Sequence, residues 1–328
     1  MRSVKRWFGL FLVCVAVAGF AGAASAQTKL RLAHTISPED AMHLALLEFS
    51  KKVAQRTNNA IQVDVFPSGQ LGNDPKTLEG VKLGTIDIGM TGNPFFTSFA
   101  PEMNAFDLPY LFRDFDHAYK VIDGPIGQEL RSGLEKNGMM PIGVLEIGFR
   151  NLTNNKKAVK MPDDVKGLKI RTTPNPAHLQ AFRLLGANPA PMPITEVYLA
   201  LKTGAVDGQE NPIAHIYALK FHEVQKYMSL TFHAYTMANV VMNLKKFQEL
   251  KPEHQKVLVE SMAEARDWER KLNRQLDGEA LAKIKSAGVQ VEENPDREAF
   301  RKVVADATAE EYVKKFGREV VDKIRNTR

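Results

Sequence analysis

The 328-residue chain holds a single cysteine, Cys14, and that scarcity removes several kinds of chemistry at once. Cys14 sits inside the apolar run Phe8 to Phe20, which Arg2, Lys5 and Arg6 precede and Ala24-Ser25-Ala26 follows. A basic start, a short apolar run and a small-x-small site read as a secretory signal, with cleavage expected after Ala26. The run is shorter than the about 20 apolar residues of a membrane span. Cys14 also lacks the small preceding residue of a lipidated cysteine. The mature chain is therefore expected to be free of thiols, which excludes disulfides, thiolate zinc sites and a cysteine nucleophile.

Catalytic signatures are missing as well. The sequence contains no phosphate-binding P-loop, no G-x-G-x-x-G dinucleotide turn, no G-x-S-x-G nucleophile turn and no H-E-x-x-H zinc pattern. Its eight histidines are scattered. Neither a catalytic residue, a metal nor a cofactor is expected. Strong charge is lacking too. Three basic residues leave with the signal, which brings 44 Lys and Arg close to 38 Asp and Glu, a net charge of about +3. No stripe concentrates the basic residues, so a nucleic acid is not expected as a partner. The local group Lys156, Lys157 and Lys160 reads as a solvated loop.

What remains is ordinary globular composition, 44% hydrophobic and 25% charged, on a chain long enough for two domains. Leu30 to Ala33, Ala41 to Arg56, Ile61 to Phe66, a helix from Asn73-Asp74-Pro75 to Gly84, and Ile86 to Met90 spell β-α-β-α-β, which pairs its strands in parallel through right-handed crossovers. The plan repeats later with Lys169 to Thr172, a helix from Ala177 to Leu185, the extended Pro189 to Pro193, a helix from Thr195 to Lys202 capped by Thr195, and a strand opening at Ala205 to Gly208. VKLGTIDIG (Val81 to Gly89) echoes LKTGAVDGQ (Leu201 to Gln209), a helix end, a glycine and a strand start in both. After the strand Val240 to Asn243, a helical pattern from Pro252 to Ala287 would reach about 54 Å. It either breaks near Gly278 or lies across both lobes. Asp296 to Arg328 reads as two amphipathic helices.

The stretch that organises this plan is Gly143 to Pro176. Its apolar runs Val144 to Phe149 and Leu168 to Ile170 are closed by Arg150 and Arg171, both at strand exits, where open α/β sheets bind ligands. A guanidinium there is a fork of donors matched to a carboxylate or phosphate; the alternative for Arg171 is an outward-facing side chain that meets only water. Asn211, before Pro212 in DGQENP, is another strand-exit residue able to donate and accept. His34 at the first strand exit, Asn93 in TGNP and Glu79 in TLEG are further candidates.

FPSGQLG (Phe66 to Gly72), GTIDIG (Gly84 to Gly89), GFRNLTN (Gly148 to Asn154), GLKIRTTPNP (Gly167 to Pro176) and VDGQENP (Val206 to Pro212), together with the signal, make the whole mature chain resemble the solute-binding component of tripartite ATP-independent periplasmic (TRAP) transporters, dicarboxylate-binding-protein family. The resemblance implies an α/β, two-lobed periplasmic binding protein fold with the ligand in the interlobe cleft and a long helix spanning both lobes. On that plan residues 27–150 with 240–280 form one lobe and 151–239 with 281–328 the other, with hinges near Arg150 and Asn239. It further implies that Arg171 pairs with a ligand carboxylate through two hydrogen bonds, that Arg150 and Asn211 match further contact positions, and that His34, Thr91, Asn93 and Pro193-Ile194 line the cleft. The expected role is a monomeric periplasmic protein that captures a small organic acid and passes it to the TRAP membrane permease subunits. A sugar acid such as a uronate or aldonate suits the polar candidates Glu79, Asn93 and Asn211. The alternatives are a C4-dicarboxylate, with one carboxylate on each arginine, and a secreted enzyme acting on a carboxylate substrate. Intact-mass analysis of the exported protein is expected to show a chain starting at Gln27, and a full-length chain in membranes would contradict the signal reading.

Overall fold

The computed structural model describes residues 27–328; the signal read at residues 1–26 lies outside them. The chain begins with β1 (Thr28–His34), α1 (Ala41–Arg56), β2 (Ile61–Phe66), α2 (Asp74–Leu83) and β3 (Ile88–Gly92). Local chemistry sets these boundaries. Asp40 accepts from the Met42 amide at the start of α1, and Asn73 from the Lys76 amide at the start of α2, each satisfying a free helical donor. α2 stops at Gly84, whose φ of 77° is left-handed and costs glycine little. The sequence from Phe115 to Lys136 reads as helical with a break at Gly124-Pro125, and α3 (Phe115–Asp123) and α4 (Pro125–Ser132) divide there before β4 (Met139–Phe149).

The chain then crosses to a second sheet through β5 (Asn151–Asn154), β6 (Lys169–Thr172), α5 (Pro176–Leu184), β7 (Asn188–Pro191), α6 (Ile194–Lys202), β8 (Gly208–Asn211), α7 (Ile213–Ala218) and β9 (Tyr227–Ser229). It returns with β10 (Tyr235–Asn243) and α8 (Leu244–Glu249). α9 (Pro252–Ser286), β11 (Gln290–Glu292), α10 (Arg297–Phe316) and α11 (Glu319–Asn326) follow. The first sheet has the order β2-β1-β3-β10-β4, the second β11-β9-β5-β8-β6-β7. β2, β1 and β3 are parallel, and β10 runs antiparallel between β3 and β4. The first sheet is covered on both faces: Met42, Phe49, Leu258 and Met262 of α1 and α9 pack with Leu32 and Val240, while Leu78, Phe106, Val121 and Ile122 pack with Met139 and Val241.

Several expectations are corrected. β3 begins two residues late, because residues 84–87 form the turn. Thr195 does not cap α6, which starts at Ile194 after Pro193. The return crossing lies at residues 230–234, ahead of Asn239, which sits in the middle of β10. All nine residues of β10 are buried, so its polar members Thr236 and Asn239 hid the strand from a hydrophobic pattern. The tail does not belong wholly to the second lobe: β11 pairs with β9 there, but Tyr312, Val321 and Ile324 pack with Val121 and Ile122 of the first lobe. α9 runs unbroken through Gly278, where an added Cβ would meet nothing within 4 Å.

The internal echo has a shared physical role. Asp87 accepts from the Arg31 amide at 2.7 Å and Asp207 from the Lys169 amide at 2.8 Å. Each thereby ties the loop before a strand to the parallel strand beside it, β3 to β1 and β8 to β6. Each carboxylate also meets a lysine, Lys246 and Lys156 respectively.

α9 is held by charge as well as by apolar packing. Arg266, Arg270 and Arg274 recur every four residues and so share one face. Arg266 and Arg270 pair with Asp123, and Arg274 pairs with Glu146. Glu146 is 1% exposed and also accepts from Tyr119, Tyr235 and Asn273 at 2.6–3.1 Å. Removing one partner of a buried pair leaves the rest uncompensated, so Glu146→Ala is expected to cost about 3–5 kcal/mol in chemical denaturation and Glu146→Gln less. Equal stability of Glu146→Ala and wild type would show that the Glu146 network contributes nothing to holding α9.

Candidate functional site

Between the two sheets lies a small cavity. Its walls come from the exits of β1 (Thr35, Ile36), β3 (Thr91, Gly92), β6 (Arg171, Thr173) and β8 (Asn211), with Arg150 at the crossing from β4 to β5. Gly148 makes that crossing possible: its φ is 113°, and a Cβ there would stand 3.4 Å from that of Pro212. The first lobe supplies most of the apolar lining, including Met42, Met90, Phe95 and Ile147, whereas the second supplies Arg171, Thr173, Asn211 and His215.

The two arginines are buried but not equivalent. Arg150 is 2% exposed. Its Nε bonds Glu210 Oε2 and its Nη2 donates to Glu210 Oε1 at 2.9 Å and to Asn211 Oδ1 at 3.0 Å. His233 Nε2 lies 3.1 Å from Glu210 Oε2. Burial pushes the Glu210 carboxyl up, but the Arg150 charge and the His233 hydrogen bond prevail and hold it well below the usual carboxylate range. The Arg150 charge is therefore already compensated; its Nη1 is 3.5 Å from Thr236 Oγ1.

Arg171 is 1% exposed, which removes the reading in which it meets only water. Nε and Nη2 both donate to the Met192 carbonyl, at 3.1 and 2.6 Å. Among the described residues it forms no salt bridge, and Nη1 has no hydrogen-bond partner. Burial pushes its pKa down to about 10, with Glu210 and Asp74 opposing, so the group still carries its charge at neutral pH. An isolated buried charge is costly unless an anion joins it.

Asp74 faces the same cavity. It is 3% exposed, takes the Thr35 hydroxyl on Oδ1 at 2.9 Å, and leaves Oδ2 buried without a partner. Burial raises its pKa, while the Thr35 hydrogen bond and the Arg171 charge oppose the rise. Sequence reading took Asn73-Asp74-Pro75 only as a helix start, although an acid next to FPSGQLG was the available signal. Thr35, Thr173, Thr236 and His215 were missed too, and none carries a local pattern that separates it from an ordinary loop or strand residue.

Thr91, Asn211 and Ile194 line the cavity; Pro193, Glu79, His34 and Asn93 do not. Glu79 is exposed on α2, facing away because α2 turns its other side to the sheet. His34 is 1% exposed and pairs through Nε2 with His43 Nδ1 at 2.9 Å. Its pKa falls to about 3, chiefly by burial and then by His43. As the last residue of β1, His34 turns to the opposite face from Thr35. Asn93 is fully buried, donating to the Met103 carbonyl at 3.0 Å and Asp107 Oδ2 at 2.7 Å while accepting from Asn239 at 3.1 Å. It braces the cavity wall from behind.

Asp107 Oδ2 also accepts from Asn175 Nδ2 at 2.9 Å, so this polar chain joins the first lobe to the N-cap of α5 in the second. Burial pushes Asp107 from the ordinary 3.8 up to about 8, against the Asn93 hydrogen bond and the Arg150 charge. Between about pH 4 and 8 the unfolded chain releases this proton while the folded one keeps it, so the group subtracts stability as pH rises through that window. Asp107→Asn removes the titration and keeps an acceptor. Its gain in melting temperature over wild type is expected to be larger at pH 8 than at pH 4.5; a gain that does not change with pH would rule out a proton held on Asp107.

The sequence profile of bacterial extracellular solute-binding protein, family 7, matches residues 32–315. The chain is 40% identical to the 2,3-diketo-L-gulonate-binding periplasmic protein YiaO of Escherichia coli over 314 residues, 96% of this chain and 94% of that protein. A TRAP periplasmic solute-binding protein from a Polaromonas species, solved with D-erythronate, superposes with a TM-score of 0.89 at 35% identity, covering 92% of this chain and 99% of that one. Another, from Sulfurospirillum deleyianum with bound succinate, gives 0.87 at 34% identity over 92% and 100%.

Proposed function

The chain belongs to bacterial extracellular solute-binding protein family 7, and from that premise we propose that it captures a hydroxylated monocarboxylate of the sugar-acid type and delivers it to TRAP permease subunits. It is a binding protein and not an enzyme, as its relatives are. Export by the N-terminal signal, with cleavage after Ala26, completes this reading.

The observation that carries the ligand class is the unequal state of the two arginines. Glu210 already neutralises Arg150, whereas Arg171 is buried with no carboxylate partner among the described residues, so the site has one positive charge to offer. One ligand carboxylate meets it. A second would find Arg150 taken and, nearby, the unpartnered Asp74 oxygen, which suits a ligand hydroxyl. Similar proteins were solved with or named for sugar acids, succinate, pantoate and orotic acid, and this charge balance favours a hydroxylated monocarboxylate over succinate.

A thermal-shift series with erythronate, galactonate, glucuronate and succinate tests the reading. A ligand at 100 times its Kd stabilises by about 2.7 kcal/mol, so shifts are expected with one or more sugar acids and not with succinate. Arg171→Lys keeps charge but loses the planar fork. Truncating one side of a buried charge pair costs about 2–5 kcal/mol, and at about 1.4 kcal/mol per decade the sugar acid should bind Arg171→Lys about thirtyfold or more weakly. Wild-type affinity in that variant, with a normal melting curve, would remove Arg171 from the site.

A further inference from the structure

His215 is not one of the arginine, asparagine and threonine positions that anchor the reading above, yet it lines the cavity and is 5% exposed. It sits on α7, directly after Asn211-Pro212, and α7 is pinned to α9 because Asp277 Oδ1 accepts from the Ala214 amide at 2.8 Å. The ring therefore has little freedom along the helix. Its Nδ1 lies 2.8 Å from Asp40 Oδ2. Asp40 belongs to the other lobe and uses its second oxygen, at 2.9 Å, to cap α1 through the Met42 amide. Both carboxylate oxygens are thus assigned, and the histidine is oriented by a residue that helix capping already fixes.

With the Nδ1 hydrogen committed to Asp40, Nε2 is left over; among the described residues it makes no hydrogen bond. A ring nitrogen of this kind accepts a hydrogen when the imidazole is neutral and donates one when it is charged. A hydroxyl, which is donor and acceptor together, satisfies it in either state. A methyl or methylene group leaves it bare, and a desolvated polar group without a partner is where discrimination between a hydroxyl and its deoxy counterpart arises.

We propose that His215, oriented by Asp40, is a specificity residue that reads one ligand hydroxyl. The dyad forms across the lobes, so the hydroxyl is read in the arrangement in which Asp40 and His215 meet. This assignment rests on the sugar-acid reading of the cavity.

The test is isothermal titration of D-erythronate and galactonate, each with its single-position deoxy analogues, against wild type, His215→Ala and Asp40→Asn. Wild type should lose about tenfold or more in affinity for the analogue lacking the hydroxyl that His215 reads. His215→Ala should bring that ratio to within about threefold and leave the ratios at the other positions unchanged. Asp40→Asn keeps a capping oxygen for α1, and as a positioning change it should reduce the same ratio without shifting it to another position. His215→Gln serves if the alanine variant does not give a normal melting curve. A full wild-type hydroxyl preference in a folded His215 variant would overturn this assignment and leave the ligand class standing. Binding of succinate with no response to any hydroxylated acid would instead overturn the ligand class, and this assignment with it.

Discussion

The ion pair between Arg150 and Glu210 is the constraint on which the rest of the site depends. It is buried at the place where the chain passes from the first sheet to the second, with Glu210 fully enclosed and Arg150 2% exposed. Three things follow from its position. It joins the β4 exit to β8, so the two lobes share one electrostatic anchor at their crossing. It fixes Asn211, whose Oδ1 accepts from Arg150 and whose Nδ2 donates to Gln209, and thereby sets the polar edge of the cavity. It also consumes the charge of one arginine and leaves Arg171 as the group in need of an anion. On the function proposed above, the pairing with Glu210 leaves one anion site and not the two that the dicarboxylate alternative needs.

α9 supplies the frame against which these lobe positions are held. Its N-terminal half packs Leu258, Met262 and Ala265 into the first core, and its C-terminal half places Ala280 and Ile284 in the second. The arginine face between them grips Asp123 and Glu146. Because Asp277 on the same helix also orients α7, a single rigid element registers the first sheet and the helix that follows Asn211. Gly278 does not interrupt it, since a helix packed along both lobes is stabilised by more than local propensity.

The elements of the first lobe were legible because each has a local cause: the caps at Asn73 and Gly84, the proline break at Pro125, the alternation of Ile61 to Phe66. The echo around Asp87 and Asp207 was legible as repetition, and the structure shows what repeats, an aspartate locking one parallel strand to another. Arg150, Arg171 and Asn211 were legible as strand-exit residues, and Thr91 through the family resemblance. What escaped was set by tertiary burial. The strand was read as starting at Val240, yet Thr236 and Asn239 before it already sit in a strand enclosed on both faces. His34 and Thr35 are neighbours at a strand exit, and a period of two sends one into the cavity and the other behind it; the sequence names the exit without saying which face is which. Asp74 and Asp40 serve as helix-start residues by every local rule; that Asp74 also lines the cavity and that the second oxygen of Asp40 meets His215 are visible only in the tertiary structure. Tyr312, Val321 and Ile324 were placed in the wrong lobe because an amphipathic stripe shows that a helix is covered and not by what.

The uncompensated charge of Arg171 also bears on how the lobes meet. The cavity around it is walled by both lobes, with Thr35 and Met90 on one side and Thr173 and Asn211 on the other, so bringing them together strips water from a guanidinium whose only protein partner is a carbonyl. That step is unfavourable with an empty cavity, because the desolvation of a lone charge exceeds what one neutral acceptor returns. A carboxylate changes the sign: it restores the missing partner at the moment water leaves, and in a medium of lower dielectric the pairing is stronger than it would be in water. Asp40 with His215 and Asp107 with Asn175 span the lobes beside the Arg150–Glu210 pair, and a carboxylate on Arg171 adds to them. On the function proposed above, the guanidinium that takes the carboxylate therefore also makes burial of the cavity more favourable with a ligand than without one.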